Sequence, residues 1–256
     1  LGWKDKIGDL TYSVNANMAT LKNELTYLDP SIKTIQGTTL QGSSIITECK
    51  VGEPLWYFKG YKFDKFDQNG MATFKDVNGD GKWDSNDVTN IGSGLPTFNY
   101  GITINLAYKG FDLLVFGTGA AGFDILPQAW RVDRKYCNNY SWYYENSWTP
   151  QNTNAKFPSV KNWTKDAYSS DLAVFNGDYF KIKQVQLGYT IPSKITKKLF
   201  ISNLRVFASF DNFFTFTKYI GLDPETASAN NSSSLGIDMG TYPTAKQATF
   251  GVNVSF

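Results

Sequence analysis

The chain has 256 residues, enough for one large domain or two ordinary ones. Aromatic residues make up 16%, charged residues 19%, and the net charge is only +2, which argues against a nucleic-acid groove or a polybasic membrane patch. There is no histidine, so the usual general base and the commonest zinc ligand are both missing. No nucleophile lies in a recognisable catalytic motif, and the chain reads as a non-enzyme.

No run approaches ~18 apolar residues, so no transmembrane helix is expected, and no signal peptide opens the chain. The first stretch, "LGWKDKIGDLTYSVNANM", reads as mid-protein sequence, as in a secreted fragment of something larger. Cys49 and Cys137 lie far apart in loop-like sequence; their spacing is compatible with a disulfide or with two thiols.

Six segments alternate apolar and polar residues with the period of a half-apolar strand. The first, 9–19, puts Leu10, Tyr12, Val14, Ala16 and Met18 on one face. The second, 97–108, does the same with Phe98, Tyr100, Ile102, Ile104, Leu106 and Tyr108. The third, 111–119, follows the tight hairpin signal Lys109-Gly110. In the fourth, 178–191, Phe180 and Ile182 are out of phase with Val185, Leu187, Tyr189 and Ile191, which predicts a β-bulge near Lys183–Gln184. The fifth, 204–216, is interrupted at Asn212, and the sixth, 248–256, ends the chain on Phe256.

Short and long connections alternate between these strands, with long loops at about 20–96, 120–177 and 217–246. A soluble β-sandwich alternates equally well along its strands, but short turns on one side and long loops on the other mark an outer-membrane β-barrel. With the C-terminus periplasmic, every long loop falls outside. Tyr108, Phe111, Tyr189 and Phe256 then lie near the inner rim, and Phe98, Tyr100, Tyr179, Phe214 and Phe216 near the outer rim, as two aromatic girdles. Phe250, Val252 and Val254 face lipid. About six strands cannot close such a barrel, so the expected fold class is all-β, the C-terminal strands of a large antiparallel transmembrane barrel. Asn15, Asn17, Asn105, Arg205 and Asp211 are candidates to line its lumen.

The stretch "DVNGDGKWDSND", 76–87, fits a calcium-loop template. Asp76, Asn78, Asp80, Lys82 (by its carbonyl), Asp84 and Asp87 take the ligand positions, Gly81 the sharp turn and Trp83 the packing position. Calcium or magnesium would pin the loop structurally; the competing reading is an Asx-turn ladder closed by its own backbone. The second long loop concentrates Trp130, Trp142, Tyr143, Tyr144, Trp148 and Trp163, residues that stack on sugars, grip peptides or pack loops together.

Several blocks resemble the SusC/RagA family of TonB-dependent outer-membrane transporters. They are "GWKDKIGDLTYSVNANMATLKNELTYL", "GEPLWYFKGYKFDKF", "DVNGDGKWDSNDVTNIGSGLPTFNYGITINLAYKGFDLLVF", "NGDYFKIKQVQLGYTIP", "LRVFASFDNFFTFTKYIGLDPE" and the closing "GIDMGTYPTAKQATFGVNVSF". Trp56 and Tyr57 depart from the family's usual residues in the second block. The resemblance spans nearly the whole chain and implies the C-terminal part of a barrel of about 22 strands, in a Bacteroidetes-type Gram-negative outer membrane. It further implies, outside this chain, the rest of the barrel, an N-terminal plug and its TonB contact. A SusD-like surface lipoprotein would meet the long loops, and the substrates would be oligosaccharides or peptides. The alternative of a different class is a secreted, calcium-stabilised carbohydrate-binding or dockerin-like module.

Overall fold

Two tight turns set the register of the main sheet. In the computed structural model, which describes residues 1–40, 44–128, 140–227 and 232–256, Gly8 has φ +59° and joins strand β1 (Gly2–Ile7) to β2 (Leu10–Thr20), with Ile7 opposite Leu10. Lys109 and Gly110 both have positive φ, 45° and 90°. That is the I′ geometry whose twist matches the flanking strands, and it pairs Tyr108 of β3 (Phe98–Tyr108) with Phe111 of β4 (Phe111–Ala121). The sheet continues through β5 (Tyr179–Thr190), β6 (Asn203–Thr217) and β7 (Gln247–Ser255). All seven strands are antiparallel and each lies beside its chain neighbours.

Strand β1 is one more than the six that periodicity shows. Its Trp3, Asp5 and Ile7 share the face of Tyr12 and Val14, but the run Lys4-Asp5-Lys6 masks the alternation. The bulge falls where the phase switch places it. Phe116 pairs with Gln184 and Gly117 with Ile182, leaving Lys183 as the extra residue. Opposite, Asn212 takes a left-handed φ of +60°, which is why it interrupts the β6 row.

The sheet is apolar on its outside. Phe250 is 76% exposed, and Trp3, Met18, Leu187, Phe214, Phe216 and Val252 are also exposed on this face. Near the long-loop end, Phe98, Tyr100, Phe180 and Phe216 form a row of stacked rings with centroids 5.4, 5.9 and 6.4 Å apart. Tyr100 lies flat over Gly119, where a Cβ would strike its ring. At the other end Phe111 packs on Tyr189 at 4.5 Å. Tyr100 and Tyr108 are eight residues apart, about 27 Å along a strand; with a tilt of about 40° this covers about 21 Å of the roughly 25 Å apolar band of a transmembrane barrel. One assignment changes: Tyr179 is on the opposite, inner face, half-buried against Phe123 (6.3 Å), and Phe180 takes its place in the outer-rim row.

The described parts of the long connections are folded rather than loose. The first holds a four-stranded sheet (Ile35–Thr39, Ile46–Cys49, Tyr57–Gly60, Thr89–Ser93) and a hairpin (Phe63–Phe66, Ala72–Phe74). Asp124–Pro127 pairs with Phe175–Asn176 and, in parallel, with Ile237–Asp238, which ties the second and third loops together. Phe58, Ile125, Leu126, Tyr143, Phe157, Tyr168 and Ile237 form a common buried core. The result is a cap on one end of the wall. Among the described residues no helix is long and apolar enough to cross a membrane.

Candidate functional site

Every second residue of each strand points to the inner face of the wall, and most of these are polar, with Leu114, Phe116 and Phe207 the large apolar exceptions. All five lumen candidates lie on it. Asn15 is opposite Thr103, Asn17 opposite Gly101, and Asn105 donates from Nδ2 to Ser13 Oγ at 3.3 Å. Ser209 Oγ donates to Asp211 Oδ1 at 3.1 Å and receives Gln184 Nε2 at 3.2 Å. Arg205 grips Asp112 with two bonds, Nε to Oδ2 at 2.9 Å and Nη2 to Oδ1 at 2.5 Å. That fork crosses β5, and Gly188 sits beneath it, where a Cβ would collide with both partners. The paired charges are neutral as a unit and planar recognition fixes their geometry.

A second cluster has no counterpart in the sequence reading. Lys181, only 2% exposed, donates to Asp223 (2.7 Å), Glu225 (2.8 Å) and Thr244 Oγ1 (3.2 Å). Lys183 donates to both oxygens of Glu225 at 2.6 and 2.8 Å. Asp223 also receives the Thr244 N–H and hydroxyl. Burial alone would raise both acids, but the Lys181 ammonium and its companions outweigh it and hold Asp223 and Glu225 below the ordinary carboxylate range. The cluster tethers the loop after β6 to the inside of the wall. Lys181 is legible as a charge facing inward between Phe180 and Ile182, and Lys183 as the point where the phase changes; their partners some 40 residues later are not.

The cap absorbs most of the loop aromatics. Tyr143 is buried, and Trp142 and Trp163 pack half-buried against the Phe157 core with centroids 5.6 and 6.3 Å from its ring. Trp148 is half-buried over Gly70. These four pack the loops on one another, so they are not open stacking platforms. Tyr144 stays exposed at 54%. Trp130 and Cys137 lie outside the described residues; Cys49 is a buried free thiol.

The 76–87 loop is closed by backbone donors. Asp76 accepts from Gly79 (2.6 Å), Asp80 (3.2 Å) and Gly81 (2.7 Å), and Asn78 from Asp80 (2.8 Å). Asp80 accepts from Lys82 (3.1 Å) and Asp84 from Asn86 (2.8 Å). Asp87 accepts from Asp84, Val77 and Asn78 at 2.7, 2.7 and 3.1 Å, bonds that hold its carboxyl below the ordinary range. Trp83 packs edge-on against Phe74 and Tyr61 at 5.0 and 5.8 Å. Among the described residues no three Asp, Glu, Cys or His side chains are grouped to hold a metal ion. The backbone donors form the rungs of an Asx ladder through the loop.

A seven-stranded antiparallel meander with exposed apolar residues outside, polar residues inside and two aromatic rows defines the wall of a transmembrane β-barrel. The sequence and fold are similar to those of TonB-dependent receptors. TonB-dependent receptor P3 of Formosa agariphila is 29% identical over 97% of this chain and 27% of its own length. TonB-dependent receptor SusC of Bacteroides thetaiotaomicron is 26% identical over 99% of the chain and 25% of its own. The RagAB peptide transporter superposes on the whole chain with TM-score 0.78 at 20% identity, using 28% of its length. The fold is thus that of a fragment of a TonB-dependent transporter barrel. The chain spans about a quarter of the length of these curated relatives. No family model matches it.

Proposed function

We propose that this chain forms part of the wall and outer cap of a TonB-dependent importer in the outer membrane of a Gram-negative bacterium. The observation that carries this reading is the sheet's polarity: large apolar side chains exposed outside, polar and ion-paired side chains inside. In lipid, both open edges of the sheet, β1 and β7, need partner strands. Those strands, a plug and a TonB contact belong to parts of the receptor outside this chain.

The cap is the surface for a SusD-like lipoprotein, as the resemblance implies. The substrate class is an oligosaccharide or peptide. The neutral amides Asn15, Asn17 and Asn105 on the inner face suit polar cargo of either kind, and Arg205 on the same face is paired with Asp112. Transport rather than chemistry is the activity. The reading as a soluble sandwich module gains no support, since among the described residues no second sheet packs on the apolar face.

The test is expression of the complete receptor in its host with and without TonB. The expected result is a heat-modifiable outer-membrane protein whose loss, or loss of TonB, stops growth on one oligosaccharide or peptide source. A receptor that is soluble without detergent overturns the reading. Uptake assays with labelled glycans and labelled peptides decide the substrate class.

A further inference from the structure

We infer that the turn 191–202, which joins β5 to β6, is an anchor for anionic phospholipid headgroups at the short-turn rim of the wall. The inference rests on the barrel reading above. The turn carries Lys194, Lys197 and Lys198, all exposed, and no acidic residue. Acids elsewhere at this end are engaged or remote: Asp112 is held by Arg205, Asp9 pairs with Lys109 at 3.5 Å, and Asp5 is on β1. The side-chain charge of the turn is therefore wholly positive.

Its apolar residues are as unusual as its charges. Phe200 is held at φ +60° and is 88% exposed; Ile195 is exposed too. A non-glycine residue in the left-handed region is strained, and a bare ring in water adds a hydration cost. Both make sense if the ring lies at the headgroup level, where aromatic side chains are favoured. The scaffold that presents them is closed: Phe200 N–H donates to the Lys197 carbonyl and Ile201 N–H to that of Thr196, both at 3.2 Å, and Thr196 is buried. The turn also continues the Phe111–Tyr189 aromatic row of the lipid-facing band. Apolar insertion flanked by lysines is the chemistry of an anionic lipid surface.

The experiment uses the complete receptor in nanodiscs of equal phosphatidylglycerol and phosphatidylcholine. After detergent extraction, the lipids that stay bound are counted by mass spectrometry. Each lysine near an anionic surface contributes on the order of fivefold. The combined Lys194→Gln, Lys197→Gln, Lys198→Gln variant should therefore lose at least tenfold in phosphatidylglycerol selectivity. The same change at the cap lysines Lys33, Lys50 and Lys161 should leave it intact. Phe200→Gly keeps the backbone geometry and should lower retention of both lipids. Unchanged selectivity in the turn variant overturns the anchor, as does retention of peptidoglycan fragments in place of phosphatidylglycerol. A wild-type receptor that inserts but shows no selectivity defeats the anchor alone; one that does not enter bilayers defeats the barrel reading.

Discussion

The wall and the cap obey opposite rules within one chain. In the wall, Phe250, Val252 and Met18 are exposed while Lys181 and Ser209 are buried. In the cap, Phe58, Phe157 and Tyr168 are buried, and acids such as Asp76 and Asp80 sit at the surface. The same side-chain chemistry is sorted outward in one region and inward in the other. The difference teaches that two solvents surround this molecule, hydrocarbon around the wall and water around the cap.

The largest expected effect is in the cap. Phe157 is fully buried among Trp142, Tyr143 and Trp163. Phe157→Ala should cost the cap about 3–5 kcal/mol, seen as loss of hydrogen-exchange protection in residues 140–175. The wall should keep its heat-modifiable migration. If both regions melt together, they are one cooperative unit and the contrast is only one of surface.

The wall should respond by face. Val115 lies mid-strand on the outside, opposite Ile104 and Val185; Thr103 lies inside, opposite Phe116. Val115→Arg should destabilise the barrel in bilayers by about 2–4 kcal/mol, and Thr103→Arg should have little effect. Denaturant titration of the receptor folded into vesicles measures both. Equal effects would remove the case for lipid outside.

How far such contrasts can be read from sequence depends on whether the information is local. Ile104 and Val252 announce their face because period two needs only neighbours. The bulge at Lys183 is legible for the same reason, as a change of phase. The height of Tyr179 along its strand suits the outer row, yet its phase follows Lys181 rather than Phe180, so the ring faces inward. Strand β1 hid because Lys4-Asp5-Lys6 spans both faces near the rim, where charge is tolerated. The cap's core has no period at all; Tyr143 and Phe157 become neighbours through loop closure. The tether of Lys181 to Asp223 is non-local in the same way.

That tether joins the two regions and gives the next effect. Lys181→Met would leave Asp223 and Glu225 without their shared cation, at a cost of about 1–3 kcal/mol. Protease cleavage within 218–246 should accelerate while the wall stays folded. The pH dependence has a definite sign. Both acids have folded-state pKa values depressed below their ordinary 3.8 and 4.5. Their contribution is therefore full above those values and is lost as pH falls through the lower folded ones. Cleavage of this loop should rise in acid below about pH 4, and in the Lys181→Met variant this rise should shrink to what Lys183 and Thr244 still supply.

A milder change tests the inner face of the wall. A Cβ at Gly188 meets both Arg205 and Asp112, so Gly188→Ala should push the fork apart at a cost of about 1 kcal/mol. The Asp112→Asn, Gly188→Ala double variant should lose less than the sum of the two single variants, because the second change has no intact fork left to break. Additive losses would mean that the glycine serves the strand rather than the ion pair.

The smallest effect is expected at the loop that fits a calcium template by its sequence. A calcium pin at 76–87 would require Asp76, Asp80, Asp84 and Asp87 to turn oxygens toward a common centre. In the structure each of these carboxylates takes N–H groups of the loop, and Asp87 alone takes three. Trp83 fixes the loop from the other side through Phe74 and Tyr61. Chelation by EDTA should thus leave the melting temperature of the receptor and the fluorescence of Trp83 unchanged, and added calcium or magnesium should do no more. Asp87→Asn replaces one accepting oxygen with a donor that faces N–H groups, so it should loosen the loop whether or not a divalent ion is present. A calcium-dependent rise in melting temperature that Asp87→Asn abolishes would show that the ladder yields to a metal, and that the cap shares a second feature of the wall, charge held inside by its counter-charge.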